Sequence, residues 1–299
     1  MNASASLKKY TAYACIYIIW GSTYLATDWA FELYPPFRMT GVRMIIASII
    51  LGLFSISAIK TLTIKECVNS VGFGILMVAF GAGGAMLSVV YLDTGLACLI
   101  VGFEPVLMVV LMYLLKSAPP GPYKLIGLAL GISGMVILIS QDSITNSDSA
   151  WIGILSLFIS IVAWTIGSIY MKDAKIPSSS FLNTSIQLIS SGAILYGIGL
   201  LLGEQPKGDS LFEFTPLCSF LYLVLFGSVI AHSAFNYLLI VDDPRKVASV
   251  TYVNPVIAMA LGWFLNGEII TSNSLIAAFL LIISVLFILH EPKRMLNES

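Results

Sequence analysis

The chain is predicted to be an all-α integral membrane protein: ten transmembrane helices forming two inverted five-helix repeats around a central cavity. Three observations predict this. The 299 residues are 58% hydrophobic and only 10% charged, too little polar surface to wrap a soluble protein of this size. Apolar stretches of about 20 residues, the length that crosses a bilayer, follow one another with short polar connections. The second half of the chain repeats the first.

The spans are placed near residues 10–29, 37–58, 67–91, 95–115, 124–140, 150–171, 180–202, 216–241, 246–266 and 274–290. Turn chemistry separates them: Tyr34-Pro35-Pro36, Asp93-Thr94-Gly95, Pro119-Pro120-Gly121-Pro122, Ser143 to Ser149, Gln205-Pro206-Lys207-Gly208 and Asp243-Pro244. With the N-terminus inside, twelve Lys and Arg residues fall on the cytoplasmic side (Lys8, Lys9, Lys60, Lys65, Lys116, Lys124, Lys172, Lys175, Arg245, Lys246, Lys293, Arg294) and only Arg38 and Lys207 fall outside. The positive-inside rule then puts both termini in the cytoplasm of a multi-pass protein of the inner (plasma) membrane. A cleaved signal peptide is the competing reading of Lys8-Lys9 and the apolar run after it. It is disfavoured because the first helix has a twin in the second half.

The repeat is direct. Trp20, Phe37 and Arg43 match Trp164, Phe181 and Gln187 at an offset of 144; Asp93, Glu104-Pro105-Val106 and Leu125-Ile126 match Asp243, Asn254-Pro255-Val256 and Leu275-Ile276 at 150. Residues 1–141 and 150–291 are read as the two five-helix repeats, and 292–299 as a short cytoplasmic tail. Five is odd, so the second repeat enters the membrane from the opposite side, and inverted repeats suit alternating access.

Val101 to Leu115 carries Glu104 and Pro105 near its apolar middle. An acid at that depth has to be neutral, paired or facing a cavity, and proline frees backbone polar groups one turn away. Asn254-Pro255 repeats the pattern, and matching broken helices point to a binding site. Thr251 and Tyr252 lie beside that second break. Glu104 is a proton-coupling candidate or a static polar bond. Arg43, about two turns into the second helix, either pairs with Glu104 as a gating contact or snorkels as an anchor. Ser228, His232 and Asn236 form one polar stripe at four-residue spacing, and His232 is the second proton-coupling candidate. Ser156, Ser160, Trp164 and Ser168, and likewise Asn183, Gln187 and Ser191, repeat the same step, which suits interhelical bonding. Tyr13, Tyr17, Trp20, Tyr24 and Thr27 share a face of the first helix; Trp20 is too deep for an interfacial belt, so it is either an aromatic wall for an organic substrate or ordinary packing. Gly127-xxx-Gly131, with Gly81, Gly83 and Gly84, reads as close packing or hinge rather than chemistry.

Several classes are excluded. No basic stripe exists for nucleic acid, and the four cysteines form neither a disulfide framework nor a metal site. Walker loops, HExxH and nucleophile elbows are missing, so neither an enzyme nor a cofactor is expected.

Trp20-Gly21-Ser22-Thr23-Tyr24-Leu25-Ala26, Pro35-Pro36-Phe37 with Arg43, and Tyr252-Val253-Asn254-Pro255-Val256 through Leu261-Gly262-Trp263 to Gly267-Glu268 resemble the EamA-type exporters of the drug/metabolite transporter superfamily. The resemblance covers essentially the whole chain and is specific for fold rather than substrate. It implies ten helices, a cavity between the halves, and outward transport of a small metabolite. The counterpart of Gly267-Glu268 in the first half, Lys116-Ser117-Ala118, lacks the acid, so any gating role of Glu268 is asymmetric.

The expectation is a secondary active transporter that exports a small organic metabolite, amino-acid-like or drug-like, with proton exchange as the driving force to test. A facilitative uniporter or channel-like pore is the alternative, and a membrane-embedded enzyme ranks below both. Expected substrate contacts are Trp20, Tyr24, Glu104, Trp164, His232, Asn236, Thr251, Tyr252 and Asn254; Arg43, Pro105, Pro255 and Glu268 are structural or gating. The expected partners are the small-molecule substrate, the lipid bilayer and protons, in a monomer or homodimer.

Overall fold

The computed structural model describes residues 3–88, 91, 100–139, 150–207, 213–266 and 270–290. Asp93, Cys98, Ser143 to Ser149, Gly208, Gly267, Glu268, Lys293 and Arg294 lie outside the described residues. Apart from single turns, the described chain forms helical rods: α1 Ala3–Phe31, α2 Pro36–Phe54, α3 Ile64–Ser88, α4 Glu104–Lys116, α5 Pro122–Ile139, α6 Ala150–Met171, α7 Ser180–Leu201, α8 Phe214–Val241, α9 Pro244–Asn266 and α10 Ser272–Leu289. Seven of them, α2, α3 and α6 to α10, are long and apolar enough to cross a membrane by length and composition.

Local chemistry sets the ends. Pro36 opens α2 from the extended Pro35, where its missing N–H costs nothing. Thr63 and Glu66 close a reciprocal capping box on α3, and the Ser179 and Thr271 side chains cap α7 and α10. Ser117 ends α4 in the left-handed region at φ 50°.

Packing follows the repeat. α2 lies against its counterpart α7, and α5 against its counterpart α10; α3 packs on α6 as α8 packs on α1, and α4 on α6 as α9 on α1. Exchanging the halves maps this set of contacts onto itself. Small residues make the closest crossing possible: a Cβ on Gly41 would stand 2.5 Å from the Tyr196 backbone nitrogen, and one on Gly192 2.9 Å from the Gly41 carbonyl oxygen. The largest buried cluster joins α1, α2, α3, α7 and α8 through Ile16, Met44, Met77, Leu188 and Phe235.

Two features depart from the sequence reading. Gly74–Ala82 of α3 and Leu223–Ala231 of α8 are nine-residue π-helical segments, offset by 149 and so at equivalent places in the repeats. Wide turns of this kind are rare and concentrate at functional sites. The breaks also differ. α4 starts at a turn at Phe103, just ahead of Glu104 and Pro105, whereas α9 runs straight through Pro255 and is interrupted at Ala248–Ser249 instead. Three i to i−3 bonds there, Ser249 N to Lys246 O, Thr251 N to Ala248 O and Tyr252 N to Ser249 O, tighten the chain two turns before the proline. Pro255 is therefore a lost donor inside a continuous helix, not its breakpoint.

Candidate functional site at the seam of the two repeats

Four rings meet where α1, α6 and α8 converge. Trp20 lies 6.0 Å from Trp164, 6.0 Å from His232 and 5.0 Å from Phe235, and Trp164 lies 6.0 Å from His232 and 5.1 Å from Phe235, centroid to centroid. These separations lie in the range where ring quadrupoles attract. Trp20 donates its indole N–H to the Gly227 carbonyl at 3.2 Å, and the Ser160 hydroxyl, one turn from Trp164, donates to the Gly81 carbonyl. Each π-helical segment thus receives a side-chain donor from the first helix of the other repeat. His232 directly follows the second π segment, is 4% exposed, and its Nε2 has no partner.

The remaining polar stripe turns toward protein. Ser228 reaches the Met44 sulfur at 3.7 Å, and Asn236 donates through Nδ2 to Thr184 Oγ1 and Gln187 Oε1, both at 2.9 Å, leaving its buried Oδ1 without a partner. Gln187 and Asn183 approach the Met171 sulfur, and Asn183 accepts from Ser70 at 2.8 Å. Asn236 is thus half committed to α7, and the expected interhelical bonding of Asn183 and Gln187 is present.

Glu104 begins α4, is 6% exposed and takes part in none of the four ion pairs among the described residues. Its charge lies within electrostatic range of the Tyr252 phenol, whose buried OH has no partner; the same is true of Asn254 Oδ1. Thr251 spends its hydroxyl on the Ala248 carbonyl of its own helix at 2.9 Å. The Tyr252 ring lies on Gly131, where a Cβ would overlap it, so the glycine pair of α5 serves close packing against α9 and α10. The contemplated Arg43–Glu104 pair does not form. Arg43 acts instead on His232, within range of the imidazole, because its helix α2 faces α7 and α8 while Glu104 sits on a rod packed against α6.

Tyr24 does not join the cluster. It is 39% exposed, one turn beyond Trp20. The other rings of the stripe do point in: Tyr17 OH shares a 2.7 Å bond with Ser249 at the α9 interruption, and Tyr13 OH donates to Asp242 at 3.0 Å. Residues missed from sequence are Phe235, Thr184, which accepts from Asn236, and Thr40 on α2, whose buried hydroxyl has no partner. Phe235 lies three residues after His232, a spacing that shares a helix face and that a search of the polar stripe alone passes over.

At the lysine-rich end a charged cluster ties the repeats together. Lys9 pairs with Asp242 at 3.0 Å and Lys172 donates to the Asp242 carbonyl at 2.9 Å; Lys124 and Arg245 pair with Asp243 at 2.5 and 2.9 Å; Lys116 pairs with Asp173 at 2.8 Å. Burial pushes the Asp243 carboxyl up, but the hydrogen bonds and charges of Arg245 and Lys124 outweigh it and hold the group at about 2. Asp242 is also held below its usual value: burial raises it, and the Asp243 backbone N–H and Lys9 lower it further.

Comparison with known proteins places this arrangement. Similarity runs to the inner membrane transporter YedA of Escherichia coli (strain K12), 29% identical over 94% of this chain and 90% of that one, and to the transporter YvbV of Bacillus subtilis (strain 168), 28% identical over 94% and 91%. One solved crystal structure superposes with a TM-score of 0.78 at 17% identity, covering 97% of this chain and 98% of its own, which speaks to the fold alone. The EamA-like transporter family matches twice, over residues 8–140 and 151–290. With both halves of the helical chain matched, the protein belongs to the EamA-like transporter family.

Proposed function

We propose that the chain is a secondary active transporter that exports a small organic metabolite across the inner membrane in exchange for protons, through ten spans arranged as two inverted repeats with both termini cytoplasmic. The observation that carries the reading is the meeting of Trp20 and Trp164, the same position of the two repeats, in one ring cluster with His232. A site at the interface of two repeats is where rocking of one half against the other exposes it to each side in turn. The contact pattern that survives exchange of the halves supports two repeats related by a pseudo-two-fold axis; the odd number of spans per repeat is what makes them inverted in this reading.

Glu104 is the coupling group in this reading, with His232 second. It is a buried carboxyl in no ion pair among the described residues, within electrostatic range of Tyr252, so its ionisation is sensitive to access from either side. The Asp242–Asp243 cluster closes the cytoplasmic side, and opening inward requires breaking it. On the opposite side the Phe37 and Arg38 backbone N–H groups bond Glu204 at 3.1 and 2.8 Å, but this ties α2 to α7, which already pack along their length.

Purified protein in proteoliposomes, challenged with a metabolite panel with and without a pH gradient, tests the reading. Gradient-dependent accumulation of a panel member is expected, and saturable flux that ignores the gradient returns the protein to a uniporter. Reporters fused after Asp93 or Ser272 are expected outside, and those after Lys116 or Asp243 inside. An internal Asp93 reporter overturns the inverted ten-span topology.

A further inference from the structure

Arg43 is an anomaly that transport as such does not explain. Each of the other cations at the helix ends near the seam has a partner: Lys9 and Lys172 on Asp242, Lys124 and Arg245 on Asp243, Lys116 on Asp173, Arg38 on the Glu204 carbonyl. Arg43 lies midway along α2, belongs to none of the four ion pairs among the described residues, and its Nε is buried without an acceptor. A guanidinium does not shed its proton in proteins. An unpaired one at membrane depth marks a pathway for something of opposite charge.

Two polar groups near it lack partners and can donate to an anion. Thr40, one turn earlier on the same face of α2, is buried with its hydroxyl unpartnered, and His232, within range of the Arg43 charge, is buried with Nε2 unpartnered. Glu104, a buried carboxyl on α4, forms no ion pair with Arg43 and lies instead within electrostatic range of Tyr252. On the far side of His232 stand the partly exposed faces of Trp20 and Trp164. The site therefore has a cationic end rich in hydrogen-bond donors and an aromatic end about one ring contact away.

We propose that the substrate is an organic anion whose carboxylate is clamped by Arg43, assisted by Thr40 and His232, with an apolar or aromatic body resting against Trp20 and Trp164. The inference rests on the seam being the transport site. A fork of guanidinium N–H groups matches the two carboxylate oxygens in a way that an ammonium does not, and replacing Arg by Lys at such a site is not conservative. An acid whose carboxylate is masked as the amide leaves those donors desolvated and unmet.

The test uses full-length protein in detergent and matched probes: phenylacetate and L-phenylalanine against phenylacetamide and L-phenylalaninamide, extended to twenty small aliphatic and aromatic carboxylates with their amides. Binding is read by isothermal titration and by ligand-dependent thermal shift. At least one acid is expected to bind about tenfold or more tightly than its amide. Arg43→Gln removes that preference, Arg43→Lys keeps no more than about a tenth of the acid affinity, and Thr40→Val weakens acid binding while melting like the parent without ligand. Equal binding of acid and amide, an undiminished preference in Arg43→Gln, or no carboxylate shifting the melt overturns the proposal. Should Arg43→Gln fail to fold, Thr40→Val and Arg43→Lys decide the same question. Failure of the transport reading is separable: acid-selective binding without gradient-driven accumulation rejects proton-coupled export and keeps the anion site, and accumulation of amides or amines does the reverse.

Discussion

The indole rings of Trp20 and Trp164 stand edge to face with centroids 6.0 Å apart, and each occupies the same place in its own repeat. Such a contact exists only where a pseudo-symmetry axis passes between two helices. His232 lies 6.0 Å from both, so a buried imidazole of the second repeat meets the equivalent tryptophans of both halves. Trp20→Phe is expected to retain transport and Trp20→Ala to weaken substrate binding about tenfold, the loss of one ring contact of about 0.5–1.5 kcal/mol plus lost apolar area. Counterflow in proteoliposomes reads this, and an Ala variant with parental affinity assigns the cluster to packing.

Glu104→Gln removes a buried titratable carboxyl that belongs to no ion pair among the described residues. Because Arg43 is not its partner, the variant is expected to fold and to exchange substrate while losing accumulation against a pH gradient. Full gradient-driven transport by a folded Glu104→Gln protein moves coupling to His232. An unfolded variant that Arg43→Leu rescues restores the pair which the geometry excludes.

Asp243 makes stability depend on acid. Its folded value of about 2 lies below the ordinary 3.8, so the contribution is complete above about pH 4 and is lost as pH falls through 2, amounting to about 2 kcal/mol. Asp243→Asn is expected to lower the melting temperature at pH 6 and to flatten the acid limb between pH 4 and 2 relative to the parent. Since the same carboxylate holds Lys124 and Arg245, labelling of a cysteine introduced at the Pro122 end of α5 is expected to quicken in this variant.

Gly131→Ala pushes the Tyr252 ring and the Ser284 hydroxyl, which approach the glycine too closely for a methyl group. Overpacking of this kind costs about 1–3 kcal/mol. Thermal unfolding in detergent checks it, with Gly121→Ala as the comparison, because nothing lies within 4 Å of a Cβ there. Equal melting of the two variants removes the close approach of α5 to α9.

Trp20, Trp164 and His232, which meet in the structure, were legible as candidates because intramembrane polar and aromatic groups stand out against an apolar background, and because an offset of 144 relates the two tryptophans. Phe235 was not legible: phenylalanine is ordinary in a span, and only the neighbouring rings make it part of a cluster. Proline was over-read. Pro255 sits within a continuous α9 because the carbonyl it frees is tolerated in packed helices, and the actual interruption at Ala248–Ser249 carries no breaker residue at all.

Composition and periodicity by themselves determined the helical membrane class, the positions of the rods and the existence of the repeat, because hydrophobic length and sequence recurrence are properties of the chain alone. Tertiary structure alone decided which partners those residues meet. Arg43 faces His232 rather than Glu104, Tyr24 turns outward while Trp20 turns in, and the π-helical segments appear at matching places in α3 and α8. The physical reason is that a spacing of three or four residues tells which side chains share a face, while the helix that the face meets is set by how ten rods pack, and that depends on all of them together.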